Sequence, residues 1–239
     1  VEVPTWLFLT TGGGTVGASF LLASFVTDRA FMRSVHDWGF TLPAPGRLVS
    51  LGGQLVGIAV LAATVGIGYL GPETGYRNLA ILTVWVGWWG GYVASTYLIG
   101  NTWPVLNPFR TVASLLPSLD RPYPDRLGAW PSVAGLLGLI WIEVVSPLAD
   151  DPRLLATSIV AYTAVTAAGS VVYGTDSWFG RVDPISRVFA LFGHFAPLKR
   201  TDDGLSLRLP GGALTAPDAL SGRAETGFVV AVLYVTTFD

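Results

Sequence analysis

The sequence contains no cysteine. That removes disulfides, thiolate metal ligands and cysteine nucleophiles in one stroke. Lysine is almost missing as well: of 14 basic residues only Lys199 is not arginine. There are 2 histidines, His36 and His194. Charge of either sign is scarce, at 13% of residues, where a soluble domain carries about 25%. The net charge of -2 offers no basic surface for nucleic acid. What fills the 239 residues instead is apolar: 51% hydrophobic, with 29 glycines and 9 tryptophans, and a mean hydropathy of +0.55. Such a chain reads as an all-α, polytopic membrane protein.

A membrane-crossing helix needs about 20 mostly apolar residues. Five stretches qualify: Trp6 to Val26, Leu48 to Leu70, Asn78 to Gly100, Gly128 to Leu148, and Arg153 to Gly174. A sixth begins near Thr226 and is unfinished at Asp239. Nothing basic precedes the first stretch. The five connecting loops hold three, one, three, one and six basic residues, so alternate loops carry 12 of the 14. Lysine and arginine concentrate on the cytoplasmic side. The expectation is a bundle of five complete spans and the start of a sixth in the cell membrane, N-terminus outside. The opening "VEVPTW", without Met, and the apolar close "GFVVAVLYVTTFD" read as a processed start and a cut end of one membrane-embedded domain, 1–239.

Two cytoplasmic loops carry detail. Residues 101–127 are proline-rich, and Pro104 and Pro108 would break any helix there. Asn101 and Asn107 suit caps and turns, and Arg110 follows. In the loop 175–225, Asp183 can cap a helix with Pro184 at its first position. Ile185, Val188, Phe189, Phe192 and Phe195 then share one face, with Arg187 and His194 off it. This predicts an amphipathic helix over 184–196 lying on the cytoplasmic surface. The polar segment that follows suits a short hairpin or an irregular loop.

Inside the apolar runs three polar residues stand out. Glu143 lies 15 residues into the fourth span, and a carboxylate there should face protein or water, not lipid. Asp239 would reach a similar depth in the sixth span, where two carboxylates could share a proton. Gln54 in the second span suits an interhelical hydrogen bond. Gly53 with Gly57, and Gly87 with Gly91, have the small-residue spacing that brings helix backbones close. The tryptophans of "VWVGWWGGY" suit either bulky packing or an aromatic cavity wall. Both histidines fall in cytoplasmic segments, so neither haem nor another cofactor is expected. Two histidines also fall short of the three or four ligands of a metal site.

The segments "VPTWLF", "GNTWPVLNPFRT", "DRPYPDRLGAWPSVAGLLGLIWIEVVSP", "DDPRLLATSIVAYTAVT" and "DPISRVFALFGHFAP" together resemble the fenitrothion hydrolase-like integral membrane proteins of actinobacteria, some proteobacteria and haloarchaea. The resemblance covers nearly the whole chain. Its Asn-Pro-aromatic-Arg motif maps to Asn107–Arg110, its Arg-Pro-Tyr-Pro motif to Arg121–Pro124, and its acidic membrane residue to Glu143. It implies further spans after residue 239 and, by its label, hydrolysis of an organophosphorus ester. Three roles follow in order: a non-catalytic membrane subunit with a protein partner or a second copy, a transporter or channel-like protein, and a membrane hydrolase.

Overall fold

The computed structural model describes residues 5–25, 38–201, 204–211, 214 and 222–238. The chain is mostly helical. Its contacts divide it into two compact units, Val1–Phe40 and Thr41–Asp239. The first unit contains α1 (Thr5–Phe25), 21 residues without a charge.

The second unit is built on α2 (Arg47–Leu70) and α7 (Pro152–Tyr173). Both are long and apolar enough to cross a membrane. Their bounds follow from simple chemistry. Gly71 and Pro72 stop α2. Asp151 opens α7 by accepting from the Arg153 and Leu154 amides at 2.9 and 3.0 Å, with Pro152 at the first helical position. Between them runs α3, one continuous helix over 79–98. It is α-helical at Leu79–Leu82, π-wound at Thr83–Tyr92 and α-helical again at Val93–Leu98. Asn78 is fully buried and ties α2 to α3: it accepts from the Ala80 amide and donates to the carbonyls of Ile67 and Pro72.

The proline-rich segment differs from its expected form. It is not simply a loop: it folds into α4 (Trp103–Leu106) and α5 (Pro108–Ser114). Both pack against α2, and α5 also lies on α7. Glycine permits the approach. A Cβ at Gly57 would stand 2.1 Å from the Leu106 carbonyl oxygen, and one at Gly53 would stand 2.5 Å from Val105. The other paired glycines, Gly87 and Gly91, would meet only their own helix. Loop chemistry predicted the break at Pro108. It did not predict that the break would be buried against a helix 50 residues earlier.

After α5 the chain zips along the end of α7, with amides of Leu119 and Arg121 donating to the carbonyls of Val171 and Val172. The Arg-Pro-Tyr-Pro stretch is structural here. Tyr123 is buried and donates to the Gly128 carbonyl at 2.9 Å, closing the turn before α6 (Trp130–Val145). Burial pushes the Tyr123 phenol above its usual value. The 16-residue α6 is shorter than the predicted Gly128–Leu148 stretch, because Pro131 fixes its first turn and Ser146–Pro147 ends it.

Next come α8, a run over 175–182 that is π-wound at Trp178–Val182, and α9 (Pro184–Gly193). The apolar stripe of α9 is present, yet it does not lie open on a surface. Phe189 is 0% exposed, and Val188 and Phe192 are buried too. Phe189 packs on Trp88, Tyr92 and Trp103. Val188 and Phe192 join Leu136, Phe228 and Val232 of the helices beside them. The helix stops short of residue 196, at Gly193, and a Cβ at Gly193 would meet Asn101 at 2.7 Å. A hairpin follows: β2 (Leu198–Thr201) pairs antiparallel with β3 (Gly204–Arg208), Leu198 opposite Leu207. Gly204 has φ +140 and abuts the Leu42 carbonyl at the end of β1 (Gly39–Leu42). Last, α10 (Arg223–Phe238) packs along α6.

Candidate functional site

Two residues of the same kind break two helical runs. Asn107 separates α4 from α5, and Asp183 separates α8 from α9. Each is followed by proline, each caps the next helix, and each is 1% exposed. Asn107 Oδ1 accepts from the Arg110 amide at 3.0 Å, and Asp183 Oδ2 accepts from the Ser186 amide at 2.7 Å. The two breaks touch: Asn107 Nδ2 donates to Ser186 Oγ at 3.1 Å.

Asp183 also accepts a hydrogen bond from the Tyr162 hydroxyl of α7. Both partners are donors, so the enclosed carboxyl oxygens are satisfied.

A cavity of about 410 Å³ opens beside this junction. Four residues singled out from the sequence line it: Asn101, Asn107, Arg110 and His194. Asp183 stands behind its wall, reached through Ser186. The rest of its polar wall comes from residues the sequence gave no reason to join, Ser186 and Arg187 with Asp176 and Glu225, and Trp103, Phe179, Leu191 and Phe228 are among its apolar lining. One signal could have found them. "NPFR" and "DPISR" share a cap, a proline and an arginine one turn on.

The wall is held firmly. Asn101 Oδ1 accepts from the Trp103 amide at 3.0 Å. The Arg110 guanidinium pairs with Asp176 and lies over the Phe179 ring. Arg187 donates to the Gly180 carbonyl at 3.0 Å, stands 3.8 Å from Glu225 and lies over the Phe228 ring. Its side chain is only 16% exposed. His194 Nδ1 donates to the Ala190 carbonyl at 2.8 Å, since a carbonyl can only accept.

The three polar residues of the apolar runs do not gather here. Glu143 is half-buried two residues before the end of α6, nearer a helix end than the sequence implied. Gln54 is half-buried on α2 beside Gly53. Neither lines the cavity. Asp239 and His36 lie outside the described residues. Among the described residues, no three His, Cys, Asp or Glu side chains gather as a metal-ligand set. No family model, no curated protein and no solved structure matches the chain.

Proposed function

We propose that the chain is a multi-pass integral membrane protein that admits a small solute into the cavity between its two broken helices, a role of the transporter or channel type. The observation that carries this is the depth of the breaks. The Leu106–Pro108 break meets α2 at Gly57, ten residues after Arg47 and so ~15 Å along the helix axis. The Asp183–Pro184 break meets α7 at Tyr162, ten residues after Pro152 and so also ~15 Å along. Those are the two helices with the length and apolarity to cross a membrane. In a hydrocarbon core about 30 Å thick, both breaks would lie near mid-depth.

Non-helical backbone is tolerated at that depth only where protein covers it or a cavity borders it. Protein covers both Asn107 and Asp183, and the cavity borders Asn107. Interrupted helices meeting near the midplane are a recurring way to build a solute site. Lipid surroundings are also supported by exposure: only 11% of the apolar stretch of α2 and 22% of that of α7 is buried. The core helix of a soluble protein would be mostly buried. Membership of the fenitrothion hydrolase-like family belongs to this proposal, since its Asn-Pro-aromatic-Arg motif is the Asn107 break. The partner-binding role is the second reading. It is favoured by the broad exposed apolar face of α6 and α10, which includes Trp141, Val144 and Leu233.

The absence of cysteine makes the test direct. Alkaline carbonate washing of membranes should leave the chain in the pellet; release into the supernatant would end the membrane reading. Single cysteines at Thr74 and Ser118 then report the two sides of sealed vesicles to an impermeant maleimide. The Ala190→Cys variant reports the cavity. Labelling of the Ala190→Cys variant from both sides supports transport. Labelling from one side only favours the subunit reading, and no labelling from either side refutes an open cavity.

A further inference from the structure

The two caps that meet belong to two longer runs of the same design. In the first, α2 leads through a short turn into α3, and the broken pair α4–α5 follows. In the second, α6 leads through a short turn into α7, and the broken pair α8–α9 follows. The two turns, 71–78 and 146–151, lie together: a Cβ at Gly75 would stand 2.9 Å from the Asp150 carbonyl oxygen. Both runs therefore point the same way. Each first helix packs on its own broken pair and places a glycine at the break. A Cβ at Gly57 would stand 3.6 Å from the Pro108 nitrogen, and one at Gly135 would stand 3.2 Å from Pro184. Burial recurs at one interval. Trp103, Asn107, Pro108 and Ala113 are buried, and so, 76 residues later, are Phe179, Asp183, Pro184 and Phe189. Beyond the breaks each run crosses to the other. After α5 the Leu119 amide donates to the Val171 carbonyl near the end of α7, and after α9 the Leu198 amide donates to the Ile99 carbonyl just past α3. The packing is exchanged in the same way, α5 on α7 and α9 on α3. Local sequence can repeat a helix cap by chance. It cannot make two exits exchange partners, because each exit is bonded by the other run.

We infer that α2–α5 and α6–α9 are two copies of one unit, related by a two-fold axis through the Asn107–Ser186 contact, and that the cavity is built between the copies. In the membrane reading above, on which the direction alone rests, that axis runs along the membrane normal. The cavity wall carries the same pairing. Trp103 and Phe179 line it from equivalent places, as do Pro104 and Gly180. Arg110 lines it from one copy and its equivalent, Ser186, from the other. Arg187 falls one residue beyond that register. The copies have diverged in length as well: α6 has 16 residues where α2 has 24. Parallel repeats recur among transporters, with the solute site at the interface of the repeats. A parallel repeat puts equivalent residues on the same side at similar depth, whereas an inverted repeat puts them on opposite sides.

The test uses cysteine variants of the full chain in sealed membrane vesicles. Pro104→Cys and Gly180→Cys, at equivalent places on the cavity wall, should react with an impermeant maleimide with the same sidedness and at similar rates. A short bifunctional maleimide should bridge the double variant across the cavity and shift its gel mobility. The same reagent tests the exchanged exits in Leu119→Cys/Val171→Cys and in Gly100→Cys/Leu198→Cys, where a Cβ at Gly100 would stand 3.1 Å from the Leu198 Cβ. Bridging of both exit pairs is expected. Detergent size-exclusion checks that each variant is folded, and Ile99→Cys/Leu198→Cys replaces the Gly100→Cys pair if that one is not. Bridging of one exit pair without the other, or opposite sidedness of Pro104→Cys and Gly180→Cys, overturns the duplication. Failure to bridge Pro104→Cys with Gly180→Cys overturns the shared cavity. The solute-site reading fails separately: if every pair bridges and the Ala190→Cys variant labels from neither side, the duplication stands without it.

Discussion

The Asn107 and Asp183 breaks are built alike and differ in one respect, the charge of the cap. Each residue ends one helical segment, begins the next and precedes a proline. Asn107 must accept from the Arg110 amide and donate to Ser186 Oγ. An amide side chain does both. Asp183 faces only donors, the Ser186 amide and the Tyr162 hydroxyl, and a carboxylate accepts from both at once. Ser186 is the joint, its backbone serving one cap and its hydroxyl the other. The difference shows that the cap is chosen by what faces it across the fold, and not by the local helix start, which both residues satisfy equally.

Substitutions can break this comparison in graded steps. The largest effect should come from outside the caps. Gly57→Leu drives a side chain into the Leu106 backbone, where even a Cβ would stand at 2.1 Å. Loss of about 3 kcal/mol or more is expected, seen as aggregation in detergent size-exclusion. Asp183→Ala removes a cap and leaves the Tyr162 hydroxyl buried alone, for about 3 kcal/mol together. Tyr162→Phe should cost clearly less in that background than in the wild type. Equal costs in a double-mutant cycle would mean that the hydroxyl and carboxylate do not act as a pair.

Exchanging the caps sharpens the contrast. Asn107→Asp keeps the Arg110 cap and loses the donor to Ser186. It also sets a second buried carboxylate beside Asp183, for about 2 kcal/mol. Asp183→Asn keeps the Ser186 cap, and the Tyr162 hydroxyl can turn to accept, so about 1 kcal/mol is expected. For a chain of this size that ordering corresponds to about 2–4 °C of thermal midpoint per kcal/mol. Smallest of all, Glu143→Gln should leave the labelling rate of the Ala190→Cys variant within about twofold, since Glu143 does not line the cavity.

How much of this was visible in the sequence depends on range. Helix bounds set by local chemistry were legible. Leu48–Leu70 and Arg153–Gly174 differ from α2 and α7 by one residue at an end or at both, because Gly71–Pro72 and Asp151–Pro152 mark the limits. The breaks at Asn107 and Asp183 were legible for the same reason, and with them four residues of the cavity wall. Their burial was not. It depends on Gly53, Gly57 and Tyr162, which are distant in sequence. The stripe of α9 announced an apolar face, but periodicity cannot say whether lipid or Trp88 and Trp103 will cover it. Trp103 and Arg187 were missed because the cavity wall is assembled from helices distant in sequence.

The central claim is that the two breaks meet, and the chain itself provides the background for testing it. The Asn107→Cys/Ser186→Cys double variant, oxidised in membranes, should form an intramolecular disulfide that shifts its gel mobility and is reversed by reductant. The Gly68→Cys/Ala156→Cys pair, where a Cβ at Gly68 would stand 2.7 Å from the Ala156 Cβ, serves as the positive control. Cross-linking of both pairs is the predicted result. Cross-linking of the control pair alone would contradict the account, because the caps and the cavity both depend on that contact.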